Sequence, residues 1–204
     1  MNDGFRGKQQ AILVGRRLSI DEYDKAFCSD LTRCKQTAQA IIDHQRPGVT
    51  IPMDYRSDIR ERGFGSLSGK PISYLMTEAA RRGGNMDHFV KDNGGETTDE
   101  FEKRVIQAYQ DILKDIEETD ADVKRVLVVT HGGPLKVLAR YWIEQAQFKV
   151  DPANFATAGN HGNTAVTRIQ VPRQQQGQNG FIELLNSTTH LGDQRGPVDP
   201  PPSV

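Results

Sequence analysis

A histidine that follows an apolar run is the first residue able to do chemistry in this sequence. Residues 125–130 have the composition of a buried strand, and His131 comes next, before two glycines and a helix that begins near Pro134. The carboxyl end of a strand is where open α/β sheets bind ligands, and the free N–H groups of a helix start attract anions. His131 is therefore predicted to face an anion. The alternative is that it only caps a turn.

Arg33 and Glu61 are two further candidates for the same chemistry. Arg33 follows Ser29 at another strand-to-helix junction, where its planar guanidinium can bind two oxygens of one phosphate. Glu61 lies between two arginines in a glycine-rich loop, where it can act as a general acid. Taken alone, Arg33 is explained as well by an exposed position on a helix, and Glu61 by a solvated position in a loop.

Other chemical motifs fail on spacing. Four residues separate Cys28 from Arg33, whereas cysteine phosphatases need five, and a thiol on an apolar strand is expected to be packed and inert. The glycine-rich loop misses the dinucleotide-binding spacing, and no residues have metal-ligand spacing, so no cofactor is expected. The remaining histidines are predicted to lie at the surface: His44, His88, His161 and His190.

The elements that must position these residues alternate between helix and strand. Hydrophobic periodicity predicts helices over 8–18, 31–42, 72–82, 98–118 and 134–146. It predicts strands over 26–29, 50–55, 125–130, 163–171 and 180–187. Thr97 and Glu100 have the spacing of a capping box for the fourth helix. The alternation predicts an α/β fold of three layers, with a mainly parallel sheet flanked by helices.

Length and composition exclude several classes of protein. The 204 residues match one domain, predicted over 1–190, with a proline-rich, disordered tail over 191–204. The 26 Lys and Arg against 27 Asp and Glu, a net charge of -1, argue against a nucleic-acid binder. No apolar run approaches the roughly 18 residues of a membrane span, and no secretory signal is visible. With only two cysteines, the expected location is cytoplasmic.

The candidate residues lie in stretches that resemble the histidine phosphatase superfamily, also called phosphoglycerate mutase-like. The matching stretches are 28–38, 60–65, 94–97, 128–132 and 163–164. Residues 59–65, followed by Gly69 and Lys70, are most similar to the TIGAR-type fructose-2,6-bisphosphatases. The order and spacing of these stretches argue against chance agreement.

The resemblance implies phosphoryl transfer to a histidine without a metal or another cofactor. In that family a histidine of an Arg-His-Gly motif attacks phosphorus, a glutamate protonates the leaving oxygen, and a second histidine and two arginines hold the phosphoryl oxygens. By motif position, Glu61 matches the acid, His131 the second histidine and Arg33 the second arginine. Arg62 and the backbone of Gly132 are implied to contact substrate. The implied partner is a small phosphorylated metabolite, such as a sugar bisphosphate.

One part of the family pattern is absent from residues 1–204. Only six residues precede the stretch 7–11, which matches the family's first helix, and no Arg-His-Gly occurs. The nucleophile, the first arginine and the central strand that carries them are missing, which indicates truncation at the N-terminus. Without that strand, residues 125–130 are expected to lose a neighbour and expose backbone groups, which leaves the chain marginally stable.

Three functions stay open at this stage. The favoured one is a phosphatase whose full-length form hydrolyses a small phosphorylated metabolite, with residues 1–204 alone expected to be inactive. A natural non-catalytic member would keep Arg33, Glu61 and His131 as a phosphate-binding or regulatory pocket. A phosphoglycerate mutase would share this pocket and would also need the missing histidine.

Overall fold

The computed structural model describes residues 3–119, 125–151, 161–172 and 179–194. In this part of the chain the α-helices are Asp3–Leu18 (α1), Thr32–Ile42 (α2), Ile72–Arg81 (α3), Met86–Asp92 (α4), Thr98–Thr119 (α5) and Gly132–Arg140 (α6). The strands are Lys25–Ser29 (β1), Met53–Arg56 (β2), Val126–Val129 (β3), Lys149–Val150 (β4), Val166–Gln170 (β5) and Phe181–Ser187 (β6). The prediction of an α/β fold is confirmed.

Three helices differ from the sequence prediction. α1 begins at Asp3 rather than at residue 8. α6 begins at Gly132 and gives way to a π-helical turn, Tyr141–Gln145, instead of continuing as α-helix to 146. α4 is not indicated by the sequence pattern, because a helix of seven residues carries too few periodic positions to be recognised.

A 3₁₀ helix at Thr189–Gln194 overlaps the tail that was predicted to be disordered. Leu191 within it is buried. The ordered part of the domain therefore extends to residue 194 rather than ending at 190. Residues 195–204 of the predicted tail lie outside the described residues.

The strands form two three-stranded sheets. The first has the order β2-β1-β3 and is parallel throughout, with Ala26 of β1 opposite Met53 and Leu127. The second has the order β4-β6-β5, in which β4 is parallel and β5 antiparallel to β6. Among the described residues β3 pairs only with β1.

Helices cover both faces of the first sheet, which creates the three layers. Cys28 of β1 packs with Val14 of α1 and Ala38 of α2 on one face. Phe27, the preceding residue, packs with Ile112 of α5 on the opposite face. Successive strand residues point to opposite faces, so a strand buried on both sides is apolar throughout. Truncating a buried Phe costs about 3–5 kcal/mol, and packing of this strength fixes the position of the strand ends.

The capping box predicted for α5 is present. The Glu100 N–H donates to Thr97 Oγ1 at 3.1 Å, and the Thr97 N–H donates to Glu100 Oε2 at 3.0 Å. These two bonds satisfy amide groups that the first turn of a helix leaves free. They also fix the chain next to Glu96, which contributes to the site described below.

Candidate active site

The carboxyl ends of β1 and β3 place Ser29, Arg33 and His131 together. The two strands are parallel neighbours, so they end at the same edge of the sheet. His131 Nε2 lies 2.8 Å from Ser29 Oγ, and Arg33 Nε donates to His131 Nδ1 at 3.0 Å. The histidine is only 7% exposed. Two residues that the sequence singled out at separate strand ends therefore form one cluster, in which His131 is buried and Arg33 is exposed.

The hydrogen bonds of His131 fix its protonation state. Because a guanidinium has no acceptor, Nδ1 carries a lone pair, which leaves the ring proton on Nε2 to be donated to Ser29 Oγ. Burial, followed by the positive charge of Arg33, lowers the pKa of His131 from 6.5 to about 4. The ring is therefore neutral at pH 7, and an anion placed beside it would raise its pKa.

Two buried cysteines lie behind this cluster. Cys34 Sγ is 3.4 Å from His131 Nε2 and also 3.4 Å from the carbonyl oxygen of Thr130. Burial raises the pKa of Cys34 to about 11 and that of Cys28 to about 12. Both thiols are protonated at neutral pH and are poor nucleophiles, in agreement with the expectation of an inert Cys28.

Glu61 reaches the same region from the loop that follows β2. Its carboxylate accepts the N–H of Gly133 at 2.9 Å and the N–H of Arg62 at 3.0 Å. Gly133 is the second residue of α6, so the helix start that was predicted to attract an anion holds this carboxylate. A Cβ on Gly133 would lie 1.9 Å from Glu61 Oε1, so a side chain there would displace the carboxylate.

Arg62 is bound by groups at the start of α5 and by Asp87 of α4. Its guanidinium donates to the carbonyl oxygen of Glu96 at 2.9 Å, to Thr98 Oγ1 at 3.0 Å and to Asp87 Oδ1 at 2.7 Å. The side chain is only 11% exposed. These contacts tie the glycine-rich loop to the start of α5, and the expected contact of Arg62 with substrate stays a prediction.

Arg104 of α5 holds the Glu61 loop, and the sequence analysis did not identify it. Its guanidinium forms a bidentate pair with Glu96, at 2.6 and 2.8 Å. It also donates to the carbonyl oxygens of Asp58 at 2.6 Å and of Glu61 at 3.4 Å. Glu96 lies in a stretch that resembles the family, whereas Arg104 is one of several charges on α5 and carries no local signal.

His161 is half-buried beside the start of α6, whereas a surface position was predicted. Its carbonyl oxygen would lie 3.5 Å from a Cβ on Gly132. Both ring nitrogens are buried and have no hydrogen-bond partner among the described residues. Burial, with a smaller effect from Lys136, lowers the pKa of His161 from 6.5 to about 4.

The other three histidines have different surroundings. His88 is exposed, as predicted, whereas His44 and His190 are half-buried. His44 Nδ1 lies 2.8 Å from the Ala40 carbonyl oxygen. His190 lies 3.0 Å from Arg17 Nη1 through one ring nitrogen and 3.0 Å from Thr164 Oγ1 through the other. None of these contacts reaches the His131 cluster.

In residues 3–119, 125–151, 161–172 and 179–194, no three His, Cys, Asp or Glu side chains are grouped so that they could hold a metal ion. Within the same residues, no helix has the length and apolar character needed to cross a membrane.

Comparisons with known proteins identify relatives that are phosphatases by name. Residues 5–182 match the model of the histidine phosphatase superfamily, branch 1. A broad-specificity phosphatase from Saccharomyces cerevisiae is 27% identical over 190 residues, covering 92% of this chain and 75% of that protein. A fructose-2,6-bisphosphatase TIGAR from Xenopus tropicalis is 27% identical over 186 residues, covering 72% of this chain and 67% of that protein.

Solved structures share the fold. A phosphoglycerate mutase from Bacillus anthracis superposes with a TM-score of 0.69 at 16% identity, covering 93% of this chain and 83% of that one. The family match extends from α1 into β6, and Arg33, Glu61 and His131 all lie within it. The chain therefore belongs to the histidine phosphatase superfamily.

Proposed function

We propose that this chain forms the phosphate pocket of a phosphatase that hydrolyses a small phosphorylated metabolite, such as a sugar bisphosphate, through a phosphohistidine. One observation carries the proposal: Arg33, His131 and Glu61 come from three distant segments and converge on the start of α6. Arginine and histidine stabilise the charge of a phosphoryl group in transfer, and a nearby carboxylate can move a proton. The relatives named as phosphatases support this class of reaction.

Each pocket residue has one role in the proposed reaction. Arg33 binds two phosphoryl oxygens, and His131 donates a hydrogen bond to an oxygen on which charge develops. Glu61 protonates the leaving oxygen and later takes a proton from the water that attacks the phosphohistidine. The backbone of Gly132, at the positive end of α6, contacts the phosphate. Arg62 supports the pocket by holding the loop, a role that its hydrogen bonds favour.

The nucleophile in this proposal lies on a segment outside residues 1–204. His131 is poorly suited to attack, because its Nδ1 lone pair accepts a hydrogen bond from Arg33 and its Nε2 carries the ring proton. Residues 1–204 alone are therefore expected to be inactive. The assembled pocket also supports a second candidate, a non-catalytic phosphate-binding or regulatory protein, because Arg33 and His131 can bind an anion without any nucleophile.

A comparison of two forms of the protein tests the proposal. Residues 1–204 and a form extended upstream in the same reading frame are incubated with p-nitrophenyl phosphate and with sugar phosphates. Free phosphate and acid-labile phosphohistidine are then measured. We expect both signals only in the extended form. A phosphohistidine in residues 1–204 would refute the placement of the nucleophile, and phosphate binding without turnover in both forms would establish the non-catalytic alternative. Transfer of the phosphoryl group within the sugar phosphate would indicate a mutase.

Variants of the active form test the residue roles. Glu61→Gln is expected to slow hydrolysis by about 10²–10⁴-fold. The effect should be larger on sugar phosphates than on p-nitrophenyl phosphate, because a sugar alkoxide is the poorer leaving group and depends more on the proton from Glu61. His131→Ala is expected to lower kcat/KM for all esters. The matched control is His88→Ala, since His88 is an exposed histidine. Wild-type rates in both pocket variants would overturn the assigned roles.

A further inference from the structure

The two ring nitrogens of His131 have different neighbours. Nε2 lies 2.8 Å from the hydroxyl oxygen of Ser29, a residue with 0% of its surface exposed. Nδ1 accepts a hydrogen bond from Arg33, which is exposed. An anion that enters from solvent is therefore expected to meet the ring at Nδ1, where the Arg33 guanidinium can turn towards it.

The Ser29 hydroxyl is the acceptor for the ring proton. Because Nδ1 accepts from Arg33, the proton of the neutral ring lies on Nε2 and is donated to Ser29 Oγ. The Leu31 N–H points to the same oxygen at 3.5 Å. Cys34 Sγ also lies 3.4 Å from Nε2, but its thiol donates to the Thr130 carbonyl oxygen, and sulfur is a weak acceptor. Ser29 is therefore the stronger of these two acceptors beside Nε2.

An anion beside Nδ1 needs a proton on that nitrogen, because a lone pair there repels it. The proton can come from Nε2 or from solvent. Moving it from Nε2 would require the Ser29 hydroxyl to donate where it now accepts. A second proton from solvent keeps the existing bond, so that Nδ1–H donates to the anion and Nε2–H to Ser29 Oγ. Both protons of the charged ring then have an acceptor, which a buried cation requires.

The charges near the ring keep it neutral until an anion arrives. The elements packed around it contribute five charged or titratable side chains: Asp30, Arg33, Cys34, Glu61 and Arg104. Burial, followed by the two arginines, lowers the pKa of His131 to about 4, and Asp30 raises it by less. A dianion at Nδ1 opposes the effect of the two arginines, so it favours the second ring proton.

We propose that Ser29 is a positioning residue for anion binding, which accepts the Nε2 proton of His131 while an oxyanion bound at Nδ1 draws a second proton onto the ring. Arg33 turns from the ring to the same anion. This role rests on the proposed phosphate pocket and adds that binding takes up one proton from solvent. The affinity for the anion should therefore fall as the pH rises, by about tenfold for each pH unit over which only the bound form is protonated.

NMR of the protein labelled with ¹⁵N in its histidine rings tests this role, because the ring nitrogens report which of them is protonated. The probe is sodium sulfate, and sodium chloride at equal ionic strength is the reference, between about pH 5 and pH 8. In chloride we expect the His131 proton on Nε2. Saturating sulfate should raise the pKa of His131 from about 4 to about 6 or above, with no change in the signals of the exposed His88.

Two results of this titration would count against the proposal in different ways. If sulfate binds while His131 stays neutral, or if its single proton is found on Nδ1, the role of Ser29 is wrong and the phosphate pocket stands. If neither sulfate nor inorganic phosphate binds at any pH in the range, the pocket and the role of Ser29 are both wrong. His131→Asn identifies the signals, since they are absent from its spectrum.

A pair of serine variants tests the hydroxyl itself. Ser29→Ala leaves the Nε2 proton only the weak sulfur acceptor of Cys34, so sulfate should protonate His131 less and bind about tenfold more weakly at pH 6. Ser187→Ala is the matched control, because Ser187 is also buried and its hydroxyl accepts from Arg17 at 3.1 Å. Wild-type protonation in Ser29→Ala, or an equal effect of the two variants, would refute the role. If Ser29→Ala does not fold, the wild-type titration still decides it.

Discussion

Acidification is expected to destabilise this protein through His131. Burial and the charge of Arg33 lower the pKa of His131 from 6.5 to about 4 in the folded protein. Unfolding returns the ring to water and restores its ordinary pKa. Between pH 6.5 and pH 4 the unfolded chain therefore binds more protons at this residue than the folded chain, so the free energy of unfolding falls as the pH falls.

The expected loss follows from the size of the pKa difference. A group that is protonated only in the unfolded state lowers the free energy of unfolding by about 1.4 kcal/mol for each unit by which the pH falls. For His131, the interval from 6.5 to about 4 corresponds to about 3 kcal/mol. His161, whose pKa is also lowered to about 4 by burial, adds a loss of similar size. Together these losses are a large part of the roughly 5–15 kcal/mol that stabilises a typical domain.

Urea denaturation of wild type and His131→Asn at pH values from 4 to 7 measures this contribution. Asparagine can accept the hydrogen bond of Arg33 and donate one to Ser29, but it does not titrate. The variant is expected to be less stable than wild type at pH 7, and the difference should shrink by about 3 kcal/mol as the pH falls to 4. His88→Asn is the control for replacing an exposed histidine.

Other acid-sensitive groups are common to wild type and variant. Burial raises the pKa values of Asp87 and Glu96, but the hydrogen bonds that they accept, including those from Arg62 and Arg104, lower these values by more. Both pKa values therefore lie below the ordinary ones. Their ion pairs are lost in acid in either protein, and the effect cancels in the difference. Parallel stability curves for wild type and His131→Asn would refute the assignment of a neutral, buried His131. The assignment would also be refuted if His88→Asn reduced the pH dependence of the free energy of unfolding as much as His131→Asn does.

Two further predictions concern the start of α6 and the open sheet edges. Gly133→Ala should displace the Glu61 carboxylate, because the new Cβ would lie 1.9 Å from Oε1, and should cost about 1–3 kcal/mol in urea denaturation. Gly84→Ala, which has open space around its Cβ position, should be close to neutral, and equal losses would contradict the contact. Residues 1–204 alone should melt broadly and aggregate, because in the described ranges β3 pairs only with β1 and β5 only with β6. A sharp, cooperative melt of a monomer would disprove this.

Local sequence patterns were sufficient to predict most of the elements. The apolar stripe of α5 and its capping box depend on residues within a few positions of one another, and the structure contains both. The buried strand before His131 is recognisable because every residue of β3 is apolar. The short helix α4, the early start of α1, the two-residue strand β4 and the π-helical turn after α6 lacked such a pattern.

Only the tertiary structure decided which side chains meet. The bond between Arg33 and His131 joins residues 98 positions apart, and the bond between Glu61 and Gly133 joins residues 72 positions apart. No local pattern encodes such pairs, since they depend on how the strands pair and how the helices pack on them. For the same reason the sequence placed His161 at the surface, whereas packing half-buries it beside Gly132 and covers both ring nitrogens.

The types of the pocket residues and their place at strand and helix ends were determined by the sequence alone, because both depend on local spacing. The fold decided three other features, because they depend on burial and on distant partners. They are the protonation state of His131, the hydrogen bonds of Arg62 and the supporting role of Arg104. The absence of a strand beside residues 125–130 stays a prediction. Only the structure shows that, within the described part of the chain, β3 pairs with β1 alone and β5 with β6 alone, since strand pairing is a property of the assembled sheets.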